Sequence, residues 1–228
     1  MTPNSWKLSP SDLTFLWDEC PRCFYLKVVH QFGRPFSPFP SVFGRIDLLM
    51  KNYYEGKSTQ AMDSSMPPGK VLLGEKWVES TPISVAGHES TAFIRGKFDS
   101  VVEFDDGSFG VIDFKTSNPS PHHAEFYGRQ LHAYAHALEH PSPGKLHIAP
   151  ITLLGLLIVT PALMTDGPGG RVNFEHELTW LPVPYEPEKF IGFLDQVLNV
   201  LEQPQPPAPA EKCSWCSYRE KVRSYPEY

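Results

Sequence analysis

The stretch that most constrains this chain is IRGKFDSVVEFDDGSFGVIDFKTS, residues 94–117. Two runs of alternating apolar character, Thr91 to Phe104 and Ser108 to Thr116, flank Asp105-Asp106-Gly107, a strong turn signal. Read as a three-residue loop with Gly107 in the left-handed position, this turn sets the register of an antiparallel hairpin. Phe104 then faces Ser108, and Asp99 sits opposite Asp113. Facing residues project to one side with Cβ atoms about 5 Å apart. Lys115, two residues beyond Asp113, joins that side. The opposite side carries Phe98, Val102, Phe104, Ile112 and Phe114, a good core face. A two-residue Asp106-Gly107 loop would instead shift the pairing by one and send the carboxylates to opposite faces.

Two carboxylates and an ammonium beside an apolar layer have two readings. One is a solvated strand face, on which Asp and Lys are ordinary, and Lys97 lies on this side too. The other is a metal site. Unpaired carboxylates at that distance repel. A hard divalent cation removes the repulsion, and Mg²⁺ takes one or two protein carboxylates plus waters and substrate oxygens.

The rest of the chain supplies the layers around the hairpin. Ser9-Pro10-Ser11-Asp12 reads as a helix start. That helix carries Leu13, Leu16 and Trp17 and is broken or restarted at Pro21. Residues 31–40 hold three prolines and form an extended loop. A helix runs from Ser41 to Glu55 and stops at Gly56, and residues 57–69 are loop. Val71 to Val85 makes one straight or bent strand. Helices follow at about Ala124 to Glu139 and Glu186 to Leu201, and strands at Ile151 to Thr160 and Arg171 to Trp180. The Ile151 strand is apolar enough to be buried on both faces. GPGG at 167–170 is a loop, and QPQPPAPA at 203–210 is a short, stiff linker. This alternation predicts an α/β or α+β fold, a mixed β-sheet flanked by helices, in one domain over residues 1–228.

Composition enters as an exclusion. With 41% hydrophobic residues the chain is not disordered. A net charge of −6 excludes a strongly basic, histone-like binder. Residues 1–60 nevertheless hold seven Lys+Arg against five Asp+Glu, so a nucleic-acid backbone would approach the N-terminal portion. The longest apolar run, Ile148 to Leu163, contains Pro150 and Pro161 and is too short to span a bilayer. With no leader-like N-terminus, a cytoplasmic protein without membrane contact is expected. There, four cysteines are metal ligands or free thiols rather than disulfides.

Those cysteines form two C-x-x-C pairs, Cys20-Pro-Arg-Cys23 and Cys213-Ser-Trp-Cys216. Two-residue spacing lets both thiolates of a pair grip one metal centre. Nearly the whole chain separates the pairs, too much for a local zinc ribbon. The centre would staple segment 1–40 to segment 203–228 as a metal-cluster subdomain. A [4Fe–4S] cluster, Zn²⁺ and unliganded thiols remain open. His132, His136 and His140 recur at four-residue spacing and read as the solvated flank of their helix, or as a weak metal grip. Neither a Gly-rich phosphate loop nor a Gly-x-Ser-x-Gly nucleophile motif occurs.

Gly96-Lys-Phe-Asp99, Ile112-Asp113-Phe-Lys115-Thr116 and Gln130-Leu-His-Ala-Tyr134 together resemble the PD-(D/E)XK nuclease superfamily. They are similar in particular to the RecB-like branch, with its G-x-x-D, D-x-K-T and Q-x-x-x-Y motifs. Glu75 lies where that branch often has an acidic residue before the hairpin. The resemblance extends from about Ser9 to Cys216. It implies a restriction-endonuclease-like core and Mg²⁺- or Mn²⁺-dependent hydrolysis of DNA phosphodiesters, on single strands or ends. It implies that Asp99, Asp113 and the Phe114 carbonyl ligate metal, and that Lys115 orients or activates the attacking water. Gln130 and Tyr134, one turn apart on a helix face, would border the active site. Phe43-Gly44-Arg45-Ile46-Asp47 matches a Gly-x-x-His setting of the branch with Asp in place of His. Asp47 is then a hard metal ligand or a surface helix residue.

The cysteines resemble those of the iron–sulfur nucleases of the branch, which include the CRISPR-adaptation nuclease and the AddB-type helicase–nuclease. These hold a [4Fe–4S] cluster with one N-terminal and three C-terminal cysteines. This chain has two and two, with Cys23 replacing the last one, which keeps Zn²⁺ open. The resemblance also implies DNA and a helicase or other DNA-processing protein as partners. Two further readings stand beside the nuclease: a non-catalytic nucleic-acid-binding or scaffold protein that keeps the fold and the staple, and a small electron-transfer protein.

Overall fold

The computed structural model describes residues 5–38 and 40–225; residues 1–4, 39 and 226–228 of the expected terminal segments lie outside the described residues. The chain enters through β1 (Ser5–Leu8), a π-helical turn (Asp12–Leu16) and the short α1 (Trp17–Glu19). Cys20 adopts an extended backbone (φ −166°, ψ 103°) that interrupts the helix, and α2 (Pro21–Val29) restarts with proline at its first turn. After the proline-rich loop comes α3 (Ser41–Tyr54), followed by β2 (Gly69–Leu73), β3 (Lys76–Glu79), β4 (Ile83–Ser84) and β5 (Thr91–Phe98). The hairpin is β6 (Ser100–Phe104) and β7 (Phe109–Thr116). Then follow α4 (His123–Glu139), β8 (Ile151–Asp166), β9 (Val172–Val183), α5 (Pro187–Leu201) and α6 (Ser214–Arg223).

The strands make two mixed sheets rather than one. A four-stranded sheet has the order β1-β5-β3 with β4 also on β5, and a five-stranded sheet has the order β2-β6-β7-β8-β9. β7 and β8 run parallel, joined through α4, while β6–β7 and β8–β9 are antiparallel. Both faces of the five-stranded sheet are covered. On one, Val101, Val111, Leu154, Leu156 and Ile158 join a large core with residues of α2, α4 and α5. On the other, Val102, Phe104, Ile112, Phe114, Leu157 and Val159 pack against Met50 and Tyr54 of α3. Among the described residues no helix is long and apolar enough to cross a membrane.

The hairpin takes the three-residue loop. Gly107 has φ +84°, and its amide donates to the Phe104 carbonyl at 3.0 Å. Ser100 pairs with Ile112, the expected register. The expected single strand 91–104, however, breaks at Asp99, where the chain leaves one sheet and enters the other. An alternation count does not carry across such a break. Phe98 therefore belongs to the core containing Val101 and Val111, not to the face of Val102 and Ile112. The 71–85 stretch likewise divides, giving β2 to the larger sheet and β3 and β4 to the smaller one. β8 passes through Pro161 at a register irregularity, where a missing amide donor is tolerated. Beyond it, β8 and β9 continue as a ribbon with Leu163, Met164, Val172 and Phe174 exposed.

Candidate active site and metal centre

Asp113 lies on the α4 side of β7 and is only 3% exposed, so this face is not solvated at its base. Its Oδ1 accepts a long hydrogen bond from Gln130 Nε2 at 3.3 Å, and its Oδ2 lies 2.5 Å from Lys115 Nζ. Asp99, at the break between the sheets, is turned toward the same place. Its Oδ2 accepts from the Phe114 backbone amide at 3.0 Å. The Phe114 ring points to the other core, beneath α3. Gln130 Nε2 also reaches the Tyr134 hydroxyl at 3.4 Å. Tyr134 is buried and its ring packs on Gly96, where a Cβ would stand 3.1 Å from the ring and 2.6 Å from Pro10. The glycine of the 96–99 motif thus makes room for the tyrosine of the 130–134 motif.

Sequence reasoning missed the cation at the centre of this cluster. Lys51 Nζ lies 2.8 Å from Asp99 Oδ1, 2.7 Å from Asp47 Oδ2 and 3.5 Å from Glu75 Oε1. Glu75 is itself paired with Lys97 at 2.7 Å. Asp47 therefore meets the site through Lys51, one helical turn along α3. The signal was present as an i,i+4 Asp–Lys pair on a helix, but only the docking of α3 over β7 brings it to Asp99. Four carboxylates and three ammoniums leave the cluster with a formal charge of −1.

The electrostatics are strained at Asp113. Burial pushes its carboxyl up to about 7, and the neighbouring Asp99 adds to the rise against the pull of Lys115. Burial disfavours the Lys115 charge, yet Asp113 and then Asp99 hold its pKa above the ordinary value. Lys115 therefore remains an ammonium near neutral pH. Gln130 Oε1 is buried without a hydrogen-bond partner. Close carboxylates that repel and an unpaired amide oxygen suit a hard divalent ion, which prefers oxygen donors.

An aromatic ledge borders Lys115. Its ammonium lies 4.4 Å from the Tyr127 ring centroid, and Phe15 packs edge-on against both Phe126 and Tyr127. Phe15 remains 44% exposed. The histidine flank differs from expectation. His132 is buried, donates from Nδ1 to the Gly128 carbonyl at 2.7 Å and accepts at Nε2 from the Glu186 amide at 2.8 Å. Burial lowers its pKa, and both ring nitrogens are used in fixing the entry to α5.

The cysteines converge. The four Sγ atoms lie within 4.8 Å of one another and all four residues are buried or nearly so. Each C-x-x-C pair is arranged alike: Cys20 caps α2 with Cys23 in its first turn, and Cys213 caps α6 with Cys216 in its first turn. Two helix N-termini thus face the sulfurs, and their dipoles favour thiolates. Burial disfavours ionisation of Cys20, but backbone hydrogen bonds at Ala210 and Cys23 bring it down to about 7, whereas burial holds the Cys23 and Cys216 thiols above the ordinary value. The proline-rich linker lies across α2, with its carbonyls at Pro207 and Gln203 accepting from Arg22 at 2.9 Å and Tyr25 at 2.8 Å.

The sequence profile of the PD-(D/E)XK nuclease superfamily matches residues 67–221. The chain belongs to the PD-(D/E)XK nuclease superfamily. The matched span holds Asp99, Asp113, Lys115, Gln130 and Tyr134, and begins after Asp47 and Lys51. No curated protein matches this chain. The solved structure of SSO0001 is similar over 94% of this chain and 84% of its own, at 15% identity and a TM-score of 0.49.

Proposed function

We propose that this superfamily member is a Mg²⁺- or Mn²⁺-dependent deoxyribonuclease that hydrolyses phosphodiester bonds of single-stranded DNA or DNA ends. The observation that carries the proposal is the pairing of buried Asp113 with Lys115, 2.5 Å apart, beside the carboxylate of Asp99 at the open edge of the cluster. Asp99, Asp113 and the Phe114 carbonyl are the ligands proposed for the ion, with Asp47 a fourth oxygen donor once Lys51 yields. When bound, the divalent ion supplies Lewis acidity toward a phosphate oxygen.

The side chains do the rest. Lys115, held as an ammonium, orients the attacking water and offsets the charge that grows on the phosphate oxygens. A fixed positive group of this kind acts mainly on the transition state. Gln130 positions Asp113 through its amide nitrogen and offers Oε1 as an acceptor for the water. Tyr134 anchors Gln130 from below. The Phe15–Phe126–Tyr127 ledge gives unpaired bases an apolar surface, and stacking on such rings is sequence-tolerant. This ledge supports a substrate with accessible bases. A helicase or other DNA-processing partner would supply such strands. The four cysteines serve as a structural metal centre joining the terminal segments.

Lys51 favours a second reading. An internal ammonium among Asp47, Glu75 and Asp99 balances the cluster without a metal, as suits a non-catalytic nucleic-acid-binding protein. A cleavage assay on labelled single- and double-stranded DNA, with Mg²⁺, Mn²⁺ and EDTA arms, decides. Metal-dependent cutting of the single strand supports the nuclease. Binding without cutting under every ion selects the second reading.

A further inference from the structure

Four cysteine sulfurs can surround one ion or cap a cluster of several, and the two cases demand different spacings. Around a single Zn²⁺ with Zn–S bonds of about 2.3 Å, a regular tetrahedron has sulfur–sulfur edges of about 3.8 Å. In a [4Fe–4S] cube each thiolate binds a different iron at a different corner. The iron–sulfide core then lies between the thiolates, and they must stand well apart. Here Cys20 and Cys216 are 3.8 Å apart, Cys23 and Cys213 3.7 Å, and Cys23 and Cys216 3.6 Å. All remaining pairs fall within 4.8 Å. This space admits one ion and excludes a cube. The cysteines therefore do not fit the iron–sulfur cluster that the sequence resemblance implied.

We infer that Cys20, Cys23, Cys213 and Cys216 hold one tetrahedral Zn²⁺. The surroundings suit it. A Zn²⁺ with four thiolates carries a charge of −2, which must be compensated when buried. The N-termini of α2 and α6 both point at the sulfurs. The Arg34 guanidinium donates to Cys213 Sγ at 3.5 Å while paired with Glu19 at 2.5 Å. All four coordination positions are filled by protein, so no place remains for water or substrate, the mark of a structural zinc site. Zn²⁺ has no redox chemistry, which removes the electron-transfer reading. This inference does not rest on the nuclease reading, since a metal-free or inactive carboxylate site would leave it intact.

The test is made on the full chain purified anaerobically and then exposed to air. Expected are one zinc per chain, no iron, no acid-labile sulfide and no absorbance in the visible before or after air. Protein grown with Co²⁺ in place of zinc should show the intense visible bands of cobalt bound tetrahedrally by thiolates. Those bands should be lost in Cys23→Ser and Cys216→Ser even if both variants stay folded by circular dichroism. A brown protein with iron and sulfide near four each per chain overturns the inference. So does a folded wild-type chain with neither metal.

Discussion

The carboxylate cluster and the cysteine cluster are both polar centres inside apolar packing, and they are built in opposite ways. The cysteine centre draws like donors from two helix starts, closes them from solvent and leaves no position open. The carboxylate centre mixes four acids with three ammoniums, and exposure rises from Asp113 at 4% of its side chain to Asp99 at 18%. Structural metal sites are closed, whereas catalytic ones keep a position for water or substrate. The difference also runs along the chain. The cysteines come from its two ends and the hairpin carboxylates from its middle, so each centre can be perturbed with the other as its control.

The largest effect should follow loss of the cysteine-bound ion. Binding free energies of structural zinc are on the order of 10 kcal/mol, and Cys213→Ser removes a ligand. Hydrogen exchange should rise sharply in α2 and α6, while the β6–β7 hairpin stays protected. Uniform exchange in both regions would erase the distinction between the centres. Next in size, Asp113→Asn should cut metal-dependent cleavage by at least about 10²–10³-fold. Full activity in this variant would refute the assignment of Asp113.

A smaller effect sharpens the contrast. Lys51→Met should destabilise the metal-free protein by about 1–2 kcal/mol, less than the roughly 3–5 of breaking a fully buried pair, because Asp47 and Glu75 reach water. Added Mg²⁺ or Mn²⁺ should raise the melting temperature of this variant more than that of wild type. Equal rises would show that the ammonium does not compete with the ion. The smallest effect belongs to a clamp remote from both centres. His88 donates between Glu202 at 2.8 Å and Asp195 at 3.0 Å. Glu202, first through its hydrogen bond, raises the His88 pKa, and Glu202 itself falls to about 2 despite its burial, through bonds from Ser90 and His88. The histidine's contribution is present below its unfolded pKa of about 6.5 and is lost as pH rises through the raised folded value. The glutamate's is present above its ordinary value and is lost as pH falls toward 2. The melting difference between wild type and His88→Gln should therefore be greatest near pH 5–6.5 and shrink on either side. A difference independent of pH would remove the clamp.

Much of the hairpin was legible because Asp105-Asp106-Gly107 encodes its own geometry: a left-handed glycine fixes the loop, and the loop fixes the register. The convergence of the cysteines was legible from chemistry, since half a ligand set at each end has one obvious completion. What was hidden depended on docking. Alternation continues smoothly through Phe98, Asp99 and Ser100, so nothing local marks the passage between sheets. Lys51 is one more lysine on an amphipathic helix until α3 lies over β7. His132 carries the same spacing as His136 and His140, and only the return of the chain at Glu186 makes it a buried bridge. The extent of β8 was masked by Pro161, a residue that breaks a strand in the middle of a sheet but not at an irregular edge.

The staple has a mechanical side. β1 lies parallel to β5, the turn after it buries Leu13 and Leu16 in the core, and Cys20 follows. With the centre loaded, a pull on the two ends would first shear β1 from β5. The load would then run from α2 through metal–sulfur bonds into α6. The five-stranded sheet with its hairpin and carboxylates, and every strand of the smaller sheet except β1, lie in the loop between Cys23 and Cys213, outside that path. A neighbour tugging on either end of this chain would strain a metal clasp and leave the carboxylate cluster slack.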